Sequence, residues 1–105
     1  MKLILAAAAV SLLAVSFASP ACAQGAGAAT YKTKCQMCHG ADGQPTSVGK
    51  SMKAIPFKSP EMISASNATL IASVTTGKGK MPSYAGKLSS SEIKDVVAYI
   101  RTLQK

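Results

Sequence analysis

The sequence predicts an all-α fold: about four helices joined by ordered loops and wrapped around a large rigid centre. Three observations predict it. The last segment places Ile93, Val96, Val97, Ile100 and Leu103 on one face at helical spacing. The short apolar run from Met52 to Phe57 contains Pro56, which argues against a strand. Two turn-rich stretches, from Gly40 to Ser51 and from Gly77 to Leu88, are too long for bare connections in a small domain. A rigid group filling the centre would account for them.

The elements follow in order. Met1-Lys2 gives a short positive start, and Leu3 to Ala18 is apolar apart from Ser11 and Ser16. Pro20 and the Ala21-Cys22-Ala23 cleavage pattern complete the layout of a secretory signal peptide, residues 1–23. An uncleaved anchor would need about 20 apolar residues, and the run from Leu3 to Ala18 is shorter. Lipid attachment at Cys22 lacks the large aliphatic residue expected before it, since Ser19-Pro20-Ala21 precedes. Residues 24–105 then form one domain. Its first helix is expected from about Gly27 to Met37, with Tyr31 and the cysteines facing inward. Ser59-Pro60-Glu61 reads as N-cap, proline at the first helical position and an acid in the first turn of a short helix. Ser66 or Asn67 caps another helix carrying Leu70, Ile71 and Val74, and Gly77 ends it. Ser89 followed three residues later by Glu92 is a capping box, which opens the last helix.

Composition narrows the class. The chain has 105 residues, a hydrophobic fraction of 48% and a formal charge of +8. The signal inflates the first of these. Loss of Lys2 leaves 11 basic and 4 acidic residues, a mature charge of +7. A basic chain could bind nucleic acid, but export and only five Tyr and Phe residues argue against it. A domain this short buries a limited core and commonly needs a staple.

Cys35-Gln36-Met37-Cys38-His39 supplies the staple. Two cysteines three apart with histidine directly after are the attachment signature of a covalent c-type haem. On a helix, residues three apart share a face, so both thiols can reach one edge of a porphyrin while His39 offers a nitrogen to the iron. A thioredoxin-like dithiol expects a βαβ context that is missing here. A structural zinc site wants four ligands, and His39 is the sole histidine. A plain disulfide leaves His39 without a role. Export places the chain where free thiols seldom persist. Cys22 leaves with the signal, and attachment would protect the other two.

A second iron ligand must come from lysine, methionine, water or substrate. The mature methionines are Met37, Met52, Met62 and Met81. Met37 lies between the cysteines, on the histidine side. Met62 belongs to an expected short helix and to its core. Met52 has apolar neighbours but follows a loop. Met81 sits in Gly77-Lys78-Gly79-Lys80-Met81-Pro82, with no periodic apolar face to join. Met81 is the expected ligand; Met52 and an open position stand as alternatives. Methionine with histidine makes an electron-transfer haem of raised potential.

Together these features resemble the class I cytochrome c family in its small exported bacterial form. The resemblance covers Gly27 to Thr102. Gly27 and Tyr31 match the glycine and aromatic of the family's first helix. Val96 and Tyr99 match the last-helix positions that pack against them. Cys35, Cys38 and His39 match the haem site, and Met81 with Pro82 matches the methionine loop. The family proline that serves the ligand histidine has two candidates, Pro45 and Pro56. The resemblance implies the small cytochrome c fold, one covalently bound haem c, and one-electron shuttling in the periplasm between Fe(II) and Fe(III).

Ile55, Leu70, Ile71, Val74, Val97 and Ile100 are candidates to wall the haem. Lys78, Lys80 and Lys87, with Lys34, Lys50 and Lys53, are candidates for a basic rim that docks acidic redox partners. The expected protein is a monomeric carrier without substrate chemistry. Competing expectations are a subunit of a larger redox complex, and a small haem enzyme or sensor in which Met81 leaves the iron open.

Overall fold

The computed structural model describes residues 20–105, with side chains from residue 25 onward. Residues 1–19 of the expected signal lie outside the described residues. Six helical segments are present among the described residues: α1 Pro20–Lys34, α2 Gln36–His39, α3 Ser47–Ser51, α4 Pro60–Ser64, α5 Asn67–Thr76 and α6 Ser90–Thr102. Among the described residues there is no strand, only isolated bridges at Lys78–Met81 and Ala85–Leu88. The long helices α1, α5 and α6 carry the core, and the short ones shape the loops.

α6 forms where its local signals predict. Ser89 Oγ accepts from the Glu92 N–H at 3.1 Å, and Glu92 Oε1 accepts from the Ser89 N–H at 2.9 Å. Two of the orphan groups of the helix end are thereby satisfied. Its buried face comprises Ile93, Val96, Val97 and Ile100. Each such side chain contributes roughly 1.5–3 kcal/mol relative to exposure. Leu103, also expected on this face, is partly buried at the C-cap.

α1 crosses α6 at Gly27. A methyl group on Gly27 would stand 2.1 Å from the Asp95 carbonyl oxygen and 3.1 Å from Tyr99 Cβ. Only a residue without a side chain permits this approach. Below the crossing, Tyr31 (1% exposed) and Val96 (0% exposed) join Phe57 and Ile100 in one cluster. The Tyr31 and Tyr99 rings lie 5.1 Å apart, tilted by 55°. The expected pairing of Gly27 and Tyr31 with Val96 and Tyr99 is therefore found. A second cluster joins α5 to α6 through Leu70, Val74, Ile93 and Val97, with Leu88 from the loop.

Local detail departs from expectation in four places. α1 begins at Pro20, within the expected signal, and not near Gly27. The helix expected through Met37 stops at Lys34, because Cys35 takes φ −119° and turns the chain into the separate segment α2. The stretch from Gly40 to Ser51 contains α3, capped by Thr46, whose Oγ1 accepts from the Gly49 N–H. Ser59 precedes α4 as expected, but its side chain makes no cap bond and its hydroxyl is buried without a partner among the described residues. Ser66 caps α5 through the Thr69 N–H at 3.1 Å.

The last helix also fixes the link between α4 and α5. Arg101 Nη1 donates to the Met62 carbonyl at 3.2 Å, Nη2 donates to the Ala65 carbonyl, and Nε donates to Asn67 Oδ1 at 2.9 Å. A rigid guanidinium fork suits three acceptors held at fixed positions.

Candidate functional site

α2 carries the signature residues. Its single turn is closed by the Cys38 and His39 N–H groups donating to the Cys35 carbonyl at 3.2 and 3.0 Å. α3 holds it from behind: the Thr46 hydroxyl donates to the Met37 carbonyl at 2.6 Å, and the Thr46 N–H donates to the Cys38 carbonyl at 3.0 Å. A Cβ on Gly49 would lie 2.0 Å from that Cys38 carbonyl. Tyr31 supports the far end by donating its hydroxyl to the Gly40 carbonyl at 2.6 Å.

This turn faces a cavity of about 700 Å³ lined by Cys35, Cys38, His39, Met52, Met62 and Met81 among others. The volume falls in the usual range for small-molecule and cofactor sites, about 300–1,000 Å³. A deeper recess of about 60 Å³ continues between His39, Met81, Leu70 and Phe57. Ile55, Leu70, Val74 and Ile100 reach the cavity or its recess, as expected. Ile71 and Val97 instead pack in the cluster behind. Phe57, which no local pattern singles out, is 2% exposed and stacks on His39, with centroids 4.9 Å apart and planes 24° apart.

Electrostatics suit a metal-binding imidazole. Burial pushes the His39 pKa below the usual histidine range. The ring is neutral at neutral pH, with a lone pair free for coordination. His39 Nδ1 is buried with no hydrogen-bond partner among the described residues. Neither Pro45 nor Pro56 takes it, and the Pro56 carbonyl accepts from the Ser59 N–H at 3.0 Å instead. Burial, and then Cys38, push the Cys35 thiol up to about 11. Cys35 and Cys38 are both free thiols, so no disulfide closes the motif. Among the described residues no cluster of three His, Cys, Asp or Glu side chains could hold a metal ion.

These observations fit a covalent haem. Two unbridged thiols and an uncharged imidazole face one largely apolar cavity, and a thioether-forming cofactor with a ligand-seeking metal would use all three. Met81 reaches both cavity and recess, as does Met62; Met52 reaches the cavity only, and Met37 is 77% exposed.

Lys34, Lys53, Lys78 and Lys80 line the cavity mouth. Lys50 and Lys87, the other expected rim residues, do not. The Lys87 ammonium instead lies 5.8 Å from the Tyr84 ring centre.

Known proteins resemble this chain over most of its length. Residues 23–100 match the family described as cytochrome c oxidase, cbb3-type, subunit III. Cytochrome c6 from a Nostoc species is 33% identical over 93 residues, covering 87% of this chain and 82% of its own. Cytochrome c6 from Aphanizomenon flos-aquae is 36% identical over 74 residues, covering 70% and 83%. Among solved structures, the KustC0563 c-type cytochrome superposes with a TM-score of 0.71 at 31% identity, covering 75% of this chain and 98% of that one.

Proposed function

Because this chain belongs to the cytochrome c family, in its small class I form, we propose that it is an exported, soluble one-electron carrier in which His39 and Met81 would be the iron ligands. Membership brings one covalently bound haem c and electron transfer as the role. When bound, the haem supplies the one-electron couple; the chain supplies binding, ligands and surroundings. Cys35 and Cys38 would hold the macrocycle through thioethers. His39 and Met81, as the iron's ligands, would keep a substrate from the iron, which fits carriage rather than catalysis. Leu70, Val74 and Ile100 keep water away, which disfavours extra charge at the iron and raises the potential.

The observation that carries this reading is that Cys35, Cys38, His39 and Met81 line one cavity. Met62 lines it too, but its backbone carbonyl is gripped by Arg101 and Gln104 and it packs against both core clusters. Met81 sits in a loop, packs against the Leu70–Val74 cluster alone, and its carbonyl accepts only from Lys78 of the same loop. The test is Met81→Ala. Its ferric form is expected to lose the weak near-infrared sulfur–iron band and to bind cyanide or imidazole readily. An unchanged spectrum and potential would refute the assignment.

Residues 1–23 are proposed as a cleaved signal, which places the mature carrier in the periplasm. No helix among the described residues is long and apolar enough to cross a membrane. The basic mouth is proposed to dock acidic faces of redox proteins, the chain itself acting as a monomer. A second reading, a subunit of a larger redox complex, is favoured by the description of the matching family as an oxidase subunit. Native-size measurement of the protein drawn from its cells separates the two.

A further inference from the structure

The loop that carries Met81 is pinned at both ends, and the two ends differ. Lys78 and Met81 exchange backbone hydrogen bonds of 3.2 and 3.0 Å, closing a tight turn. Beyond it, the Ser83 hydroxyl donates to the Thr75 carbonyl at 2.7 Å. The Tyr84 and Ala85 N–H groups donate to the Val74 and Thr75 carbonyls at 3.1 and 3.0 Å. All of these bonds end on α5 or on the loop itself. They hold the loop to its own side of the cavity and say nothing about the opposite wall.

One bond crosses. Half-buried Tyr84 lines the cavity mouth and packs against the Leu70–Val74–Val97 cluster. Its hydroxyl donates to the Lys34 carbonyl at 2.9 Å, across 50 residues of sequence. Lys34 is the last residue of α1 and directly precedes Cys35. The last carbonyls of a helix lack intrahelical partners and carry partial negative charge. Here the Cys38 N–H, the partner a continuing helix would give Lys34, donates to Cys35 instead. The phenol therefore takes up an orphaned acceptor, and in doing so ties the methionine segment to the thiol segment.

We propose that Tyr84 is a positioning residue for the methionine side of the site: its hydroxyl on the Lys34 carbonyl latches the Met81 loop shut. The latch sets how readily an outside ligand displaces Met81, and it rests on the reading of Met81 as an iron ligand. Displacement requires the loop to leave the cavity, and leaving breaks the bond to Lys34. Losing the hydroxyl removes that cost from opening and leaves the ring packing in place.

The experiment titrates ferric, haem-loaded protein with imidazole, following the near-infrared sulfur–iron band. Wild type, Tyr84→Phe and Ser89→Ala are compared, with thermal melts of each. Ser89→Ala softens the start of α6, just past the loop, and leaves the Tyr84–Lys34 bond untouched. Tyr84→Phe is expected to lower the imidazole midpoint about five-fold, the net contribution of one neutral hydrogen bond. Ser89→Ala is expected to leave the midpoint within two-fold while lowering the melting temperature. A Tyr84→Phe midpoint within two-fold of wild type overturns the latch. Equal shifts in the two variants also overturn it, because general softening then explains both. A wild-type protein without the band overturns the Met81 reading and the latch together, which separates that failure from the others.

Discussion

Replacing Gly27 with alanine is the sharpest perturbation of the α1–α6 crossing. The added Cβ would sit 2.1 Å from the Asp95 carbonyl oxygen and 2.6 Å from its carbon. Ordinary contact begins near 3.4 Å, so α1 and α6 must part by about 1.3 Å. A radial gap of about 0.5–1 Å already forfeits a quarter to a half of the dispersion at a contact. Parting would loosen Tyr31, Val96 and Ile100 together, because all three share that cluster. Overpacking typically costs about 1–3 kcal/mol. The obstacle here is backbone, which cannot rotate aside, so the top of that range, about 3 kcal/mol, is expected. For a domain of this size each kcal/mol moves the melting temperature by about 4–8 °C, giving a fall of roughly 12–24 °C. The assay is thermal melting of haem-loaded protein followed by far-ultraviolet circular dichroism. Gly25→Ala is the control, since nothing lies within 4 Å of a Cβ there. A Gly27→Ala protein that melts within 4 °C of Gly25→Ala would refute the argument that this crossing is closed to a methyl group.

Other perturbations probe separate parts of the molecule. The Ser89 backbone N–H holds the Glu92 pKa below its ordinary 4.5; the folded value is the lower one, so this stabilisation is present above pH 4.5 and is lost as pH falls through the folded value. Melts across pH 2.5–6 should show Glu92→Gln losing less stability on acidification than wild type, and parallel curves would contradict this. Phe57→Ala removes the ring stacked on His39 and is expected to cost about 3–5 kcal/mol in urea unfolding; a loss below about 2 kcal/mol would mean that the recess collapses around the gap. Lys78→Gln combined with Lys80→Gln should slow electron transfer to an acidic redox protein at low ionic strength and converge on wild type above about 0.5 M salt, where screening acts within a few ångströms. A rate equally slowed at all salt concentrations would show that these lysines do not act by long-range attraction.

How far the fold was legible depends on the range of the forces involved. α6 could be read closely because a capping box and a 3.6-residue apolar period are both local. The signature at Cys35, Cys38 and His39 was legible because attachment chemistry demands a fixed spacing. α3 was hidden, since its five residues are held by bonds from Thr46 to the carbonyls of Met37 and Cys38, and composition records only turn formers. Phe57 follows Pro56 with no periodic partners, so its contact with His39 arises only once the chain has doubled back. The grip of Arg101 on Met62 and Ala65 spans 39 and 36 residues, and no local pattern encodes it. Among the methionines, the sequence favoured Met81 by elimination, whereas the cavity admits Met52, Met62 and Met81 alike.

The crossing at Gly27 has a consequence for the order of events in assembly. It joins residues 27 and 95, near the two ends of the domain, so most of the chain must be available before the central contact can form. Such distant pairings impose the largest loop-closure cost and form slowly. A chain emerging amino end first exposes Cys35 and Cys38 long before α6 arrives to cover Tyr31. During that interval both thiols remain reachable and the cavity has no closed wall. The geometry that makes the finished protein tight thus leaves a window in which its prosthetic group can be installed.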